Sequence, residues 1–184
     1  MNISKTKNYN NLIPLSDIKR HLRIDESSSD YDQELRSLAT VALTDVENYV
    51  QFDIVPTVST IEDDCVFGYN YQLDEPNISL SGITAQTINS TNNQVISTTV
   101  IDITNCRLIK GNQYTIVKFQ TSIQADRFYI KYASGSTALK PNIKQAALLR
   151  IAYYFDLDKS GAVTTQIYNT KAFERLLTNE SNIL

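Results

Sequence analysis

The chain has 184 residues, of which 42% are hydrophobic; 17 Lys and Arg stand against 20 Asp and Glu, for a net charge of −3. That length and composition suit one domain, or one domain carrying an insertion, with a respectable buried core, and the charge balance excludes bulk attraction to nucleic acid. Cys65 and Cys106 lie far apart and form neither a zinc motif nor a disulfide framework, so we expect free thiols in a reducing cytoplasm; we read no signal peptide and no apolar run long enough to span a bilayer.

Residues 1 to 14 are polar and read as a loose arm. Pro14-Leu15-Ser16 opens a short helix, with Ser16 as the expected N-cap, Ile18 and Leu22 on its inner face, and Lys19, Arg20 and Arg23 facing out. Ser29-Asp30-Tyr31-Asp32 resembles a capping box and begins a second helix that runs to about Val50. Its apolar stripe is Tyr31, Leu35, Leu38, Ala42, Val46 and Tyr49. From residue 25 to residue 64 the only basic side chain is Arg36, against eleven acidic ones, a pattern that usually solvates one face.

After Pro56 the period changes. Residues 57 to 136 are rich in β-branched side chains and poor in charge, with alternation in residues 99 to 103, 114 to 119 and 127 to 132. Turn signals fall at Gly68, Pro76, Ser81-Gly82, Asn92-Asn93, Lys110-Gly111-Asn112 and Ser134-Gly135. This stretch reads as an antiparallel sheet or sandwich inserted between the second and third helices.

The third helix, within residues 137 to 160, is apolar nearly all round: Leu148, Ile151, Tyr154 and Phe155 join Ile143, Ala146, Ala147, Leu149 and Leu157. A helix with that pattern is covered on several sides, either by the chain's own core or by a neighbouring subunit. Residues 162 to 170 read as an extended linker before a last short helix from about Lys171, with Phe173, Leu176 and Leu177 apolar, and the tail ends in Ile183-Leu184. The fold class is therefore α+β: about four helices in a small bundle with an inserted antiparallel sheet. The parts are an arm (1–14), two helices (15–56), a β subdomain (57–136), a central helix (137–160) and a C-terminal docking segment (161–184).

We find no constellation that carries chemistry. Asp156-Leu157-Asp158-Lys159-Ser160-Gly161 opens like an EF-hand loop, but the position that needs a bidentate Glu holds Ile167, so we read a helix end and a turn. His21 is the only histidine and has no partner at a set spacing. The five glycines are scattered among turns rather than gathered into a phosphate loop. We expect no catalytic residue, no cofactor and no metal.

The order of the parts resembles the head–tail connector (adaptor) proteins of tailed bacteriophages. Leu15-Ser16-Asp17-Ile18-Lys19-Arg20-His21-Leu22-Arg23-Ile24-Asp25 is similar to that family's opening segment, and an acidic stretch and a long helix ending near Val46-Glu47-Asn48-Tyr49 follow it. Tyr132-Ala133-Ser134-Gly135 precedes Lys140-Pro141-Asn142-Ile143-Lys144-Gln145-Ala146-Ala147-Leu148-Leu149 and the pair Tyr153-Tyr154, similar to the family's third helix. Ala172-Phe173-Glu174-Arg175-Leu176-Leu177 stands where the family has a short segment ending in a Leu-Leu pair. Two departures are Phe155-Asp156-Leu157-Asp158, in place of a charged helix end, and the length of the β insertion.

The resemblance implies a structural virion protein at the neck, made in the host cytoplasm. It implies a twelve-subunit ring of this chain, bound to the portal protein and to tail proteins, with double-stranded DNA passing through. On it we expect portal docking by Phe173, Leu176, Leu177, Ile183 and Leu184, and subunit packing by Leu148, Ile151, Tyr154 and Phe155. Competing readings are another ring or tail-completion protein of the same particle, a β-domain module binding protein or glycan through Tyr69, Tyr71 and Tyr114, and a small hydrolase or metal enzyme.

Overall fold

The computed structural model describes residues 1–89, 91–160 and 166–178. In chain order the elements are β1 (Asn2–Lys7), α1 (Leu15–Leu22), α2 (Asp32–Val50), β2 (Thr57–Leu73), β3 (Ile78–Ile88), β4 (Val95–Ile101), β5 (Cys106–Lys110), β6 (Thr115–Ser134), α3 (Pro141–Ser160) and α4 (Gln166–Leu177). The class is α+β, with four helices and one antiparallel sheet. The chain divides into two compact units: Met1–Asn8 with Pro56–Gly135 carries the sheet, and Tyr9–Val55 with Ser136–Leu184 carries the helices.

The sheet has the order β1-β2-β6-β3-β4, and β5 pairs with the first part of β6. Its spine is the ribbon of β2 and β6, paired from Thr57↔Ser134 to Leu73↔Thr115. A straight ribbon of that length has no interior, and this one doubles back. Asp63 and Tyr71 are eight positions apart on β2, about 26 Å along a straight strand at roughly 3.3 Å per residue. Yet the Tyr71 hydroxyl donates to Asp63 Oδ2 at 3.0 Å. The positive-φ residues Cys65 (φ 57) and Gly68 (φ 124) lie at the bend, and the register shifts just after them, between Gly68 and Asn70, where Tyr69 stands opposite residues 119 to 122 of β6. Folding the ribbon brings Tyr71 and Phe119 of one arm against Phe128 of the other, at ring separations of 5.0 and 6.2 Å. Ile61, Ile83, Val117, Ile130 and Tyr132 close the same core.

Three expectations for this unit change. Residues 2 to 7 are not a loose arm but an edge strand, laddered from Asn2↔Glu62 to Lys7↔Thr57, because a six-residue backbone ladder compensates for a sequence with few apolar side chains. Gly68 and Ser81-Gly82 are not chain reversals. They are irregularities inside β2 and β3, since β6 runs past both and keeps each strand paired. The alternating runs in residues 114 to 119 and 127 to 132 are two stretches of the single strand β6.

In the helical unit, Ile18, Leu35, Leu43, Val46, Ile151, Phe173 and Leu177 form a buried core. Neither expected side-chain cap is present. α1 follows Pro14, whose carbonyl accepts from the N–H groups of Asp17 and Ile18, and α2 follows Tyr31 without a side-chain cap. α4 begins at Gln166, so its first turn occupies part of the expected linker.

Lys19, expected to face out, is 5% exposed. The carbonyls of Glu26 and Ser28, at 3.3 and 2.6 Å, and Asp32 Oδ1, at 2.6 Å, replace the water its ammonium would hold. Nor does the acidic stretch form one solvated face. Glu47 and Asp53 are buried. Glu47 Oε1 accepts from the N–H groups of Ile54 and Val55 at 3.0 and 3.2 Å, and Tyr9 donates to Oε2 at 3.1 Å, which fixes the exit of α2.

The bend in the ribbon predicts a contrast between two glycines. Gly68→Ala should cost about 1–2 kcal/mol in urea unfolding, because a Cβ is disfavoured at its positive φ even though the space around it is open. Gly82→Ala, with the same open space and no positive φ, should be neutral or slightly stabilising. Equal effects at the two sites would show that the bend does not depend on Gly68.

Candidate functional site

α3 is the element around which the helical unit is built. From Ala146 to Phe155 none of its residues is exposed. Its cover comes from α1, α2 and α4 of the same unit. Leu148, Ile151 and Phe155 lie in the core, with the Phe155 ring edge-on to Tyr31 at 5.6 Å. Ala146, Ala147, Leu148, Ile151 and Phe155 are thus covered within one chain, while Leu149, Ala152, Tyr153 and Tyr154 are half-buried.

Tyr154 is half-buried and donates its hydroxyl to Asp45 Oδ2 on α2. Burial, and then the Asp45 carboxylate beside it, push the Tyr154 phenol up to about 12. The same carboxylate lies 3.7 Å from Arg150 Nε. The Arg150 guanidinium in turn stands 4.1 Å over the Phe173 ring, which meets Tyr49 edge-on at 5.6 Å. Asp45, Arg150, Tyr154 and Phe173 therefore tie α2, α3 and α4 together. Phe173 and Leu177, two of the expected docking residues, are buried in that core, and Leu176 packs partly against it. Ile183 and Leu184 lie outside the described residues.

The residues weighed for chemistry do not converge. His21 lines a shallow depression with Asp17, Arg20, Lys144 and Leu148, but the Asp17 carboxylate is committed to the Lys144 ammonium at 2.6 Å, a bond that holds its pKa below the ordinary value. α3 continues to Ser160, so Asp156 and Asp158 belong to a helix and not to an ion-binding loop. Among the described residues no group of three or more His, Cys, Asp or Glu could hold a metal ion, and no helix is long and apolar enough to cross a membrane. Cys65 and Cys106 are both free. Tyr71, one of three candidate aromatics for a binding module, is buried inside the sheet, while Tyr69 and Tyr114 are exposed.

Two surfaces stand out instead. At the ribbon's bend Phe67 is 76% exposed, with Tyr69 two positions on. The second is β4, an outermost strand whose seven residues, VISTTVI, carry no charge. Ile101 packs against the sheet core opposite Ile83, which puts Val100 and Thr98 on the other face; Val100 is 78% exposed, and Ile96, the extra residue of a bulge opposite Thr87 and Ile88, is 64% exposed. The alternation in residues 99 to 103 caught the end of this strand, but alternation alone does not say which neighbour it lacks.

No family model matches the sequence, and no curated protein matches it. The fold has been seen before. A chain in the neck of an empty gene transfer agent particle, computed with C6 symmetry, shares it at a TM-score of 0.71 and 16% identity, over 96% of this chain and 95% of that one. A chain in the virion of the native gene transfer agent particle matches at 0.70 and 16%, over 96% and 95%. A chain in the neck of the native particle, computed with C12 symmetry, matches at 0.65 and 15%, over 96% and 94%. At these identities the likeness is one of fold, and it extends over both units.

The Tyr154–Asp45 bond makes a pH prediction. A phenol whose folded pKa is raised adds stability that is fully present below the unfolded value of about 10 and is lost as pH rises through about 12. Between pH 9 and pH 11.5 the wild-type melting temperature should therefore fall further than that of Tyr154→Phe. Parallel curves would show that the phenol is not held by Asp45.

Proposed function

We propose that this chain is a head–tail connector of a phage-like particle: a structural protein of the neck, incorporated in the virion after synthesis in the host bacterial cytoplasm, with no catalytic role. The observation that carries the reading is the shared fold over 96% of the chain with chains of two neck structures, at TM-scores of 0.71 and 0.65. The order of segments that resembles the adaptor family supports it independently. Ring formation by twelve copies accords with both kinds of neck, since a C12 ring also has C6 symmetry. Portal and tail proteins are the partners, and double-stranded DNA passes through without specific binding. The passage of DNA rests on the resemblance alone, because the acidic stretch is largely spent on internal pairs. Another ring or tail-completion protein of the same particle would share the fold and differ in which partner it meets.

Within this reading we assign portal contact to the C-terminal segment. Phe173 and Leu177 serve the core, which leaves Leu176, Ile183 and Leu184 as the docking candidates. Leu148, Ile151 and Phe155 likewise hold the subunit's own fold together, so contacts between subunits are sought elsewhere.

Electron microscopy of the chain co-expressed with the portal protein of the same genome tests the proposal. Ring-shaped density on one end of the portal is expected; bare portals beside free chains would sink it. Deleting residues 179–184 should lower portal affinity at least tenfold and leave the melting temperature unchanged, because Phe173 and Leu177 remain in place. Undiminished binding by that truncated chain would move the docking site off the C-terminal segment.

A further inference from the structure

We propose that subunits join through their sheets, with the free edge of β4 in one copy receiving the free edge of β1 from the next. The inference rests on the ring reading and adds the contact that would build the ring.

Among the described residues, β1 pairs only with β2 and β4 only with β3, so each presents one open backbone edge. Open edges are usually blunted by charge, proline or a bulge. β4 has no charged residue and no proline; its one irregularity is the extra residue Ile96, between the pairs Ser97↔Thr87 and Val95↔Ile88 near its start, which leaves Ser97 to Ile101 as a regular edge. Instead it carries Ile96 and Val100 exposed beside the open edge, a strong invitation to strand addition. β1 does contain lysines, but the Lys5 ammonium is drawn back to Glu75 at 2.7 Å, onto its own subunit.

The occupant follows from direction and length. Every pairing along the path is antiparallel, so β1, β6 and β4 run the same way. A copy rotated about an axis parallel to these strands brings its β1 to β4 without reversal, as a parallel pair. Such a contact uses two different surfaces per subunit and is heterologous, as a closed ring with more than two members requires. The edges match in length: six residues in β1 and seven in β4, or roughly 20 and 23 Å. Pairing of β4 with β4 would satisfy the same backbone groups, but it is two-fold and ends at a dimer.

Cysteine cross-linking decides the matter. In a Cys65→Ser, Cys106→Ser background, Ser4→Cys is combined in turn with Ile96→Cys at the bulge and with Thr98→Cys and Val100→Cys on the same face of the sheet as Ser4, spanning the possible registers. Mild oxidation of the purified chain, and of the chain bound to portal, is read on non-reducing gels, with circular dichroism confirming the fold of each variant. The expected result is that at least one pair gives a ladder rising from dimers to a closed species, while each single variant stays monomeric. No ladder in any register, in either sample, overturns the inference, as does a dimer from Thr98→Cys alone. A ring on the portal without cross-links would remove the strand pairing and leave the connector reading intact. Cross-linked ladders beside bare portals would support the pairing and remove the portal from the reading.

Discussion

The sheet unit depends on one constraint: a two-stranded ribbon as long as β2 and β6 buries nothing unless it folds onto itself. Tyr71 and Asp63 are far apart along β2 and bonded in space, and the pair marks the closure. Once the ribbon is bent, the aromatic side chains of both arms share one interior around Phe128, and the shorter strands only extend it. Gly68 supplies a backbone conformation that side chains resist, and the apolar area gathered by the bend outweighs the cost of the broken register. Burial also raises the Tyr71 phenol, which keeps it protonated and able to donate to the Asp63 carboxylate.

The helical unit solves a different problem. α1 and α2 begin without side-chain caps, and the loops beside them are fixed by charged groups. Glu47 accepts from two backbone N–H groups after α2, and Lys19 is held by two carbonyls and Asp32 between α1 and α2. Each replaces lost hydration with several oriented partners, which is the condition for burying a charge. Removing Glu47 would leave the buried N–H groups of Ile54 and Val55 without that acceptor, and removing Lys19 would leave Asp32 without its cation, so these two residues carry more of the fold than their place in an ordinary charged stretch suggests.

Much of this was legible in the sequence, and the rest was hidden for physical reasons. The helices α2 and α3 showed in their periodicity and the sheet in its β-branched alternation, because those patterns are local. Lys19 and Glu47 were misread because periodicity cannot report a partner seven to thirteen positions away. β1 was missed because its stability comes from backbone pairing with a strand some fifty residues on, which side-chain composition does not record. The same distinction explains a fold shared at 15–16% identity without a match to a family model or a curated protein. The bend, the covered helix and the polar loop anchors can each be met by many side chains. At the candidate docking segment, apolar residues looked like a surface because the sequence cannot say whether Phe173 meets a partner or Arg150 of its own chain.

The position of Phe173 and Leu177 has a mechanical side. α4 is pinned at both its middle and its end, by the Arg150 guanidinium against the Phe173 ring and by the burial of Leu177. Tension applied to the chain beyond Thr178 would therefore reach α3 within a few ångströms, through a cationic contact backed by Asp45 and by dense packing, instead of being absorbed by a slack tether. To detach α4 such a pull must shear several side chains out of the core together, not peel them off singly. A tail joined to the body in this way transmits force stiffly.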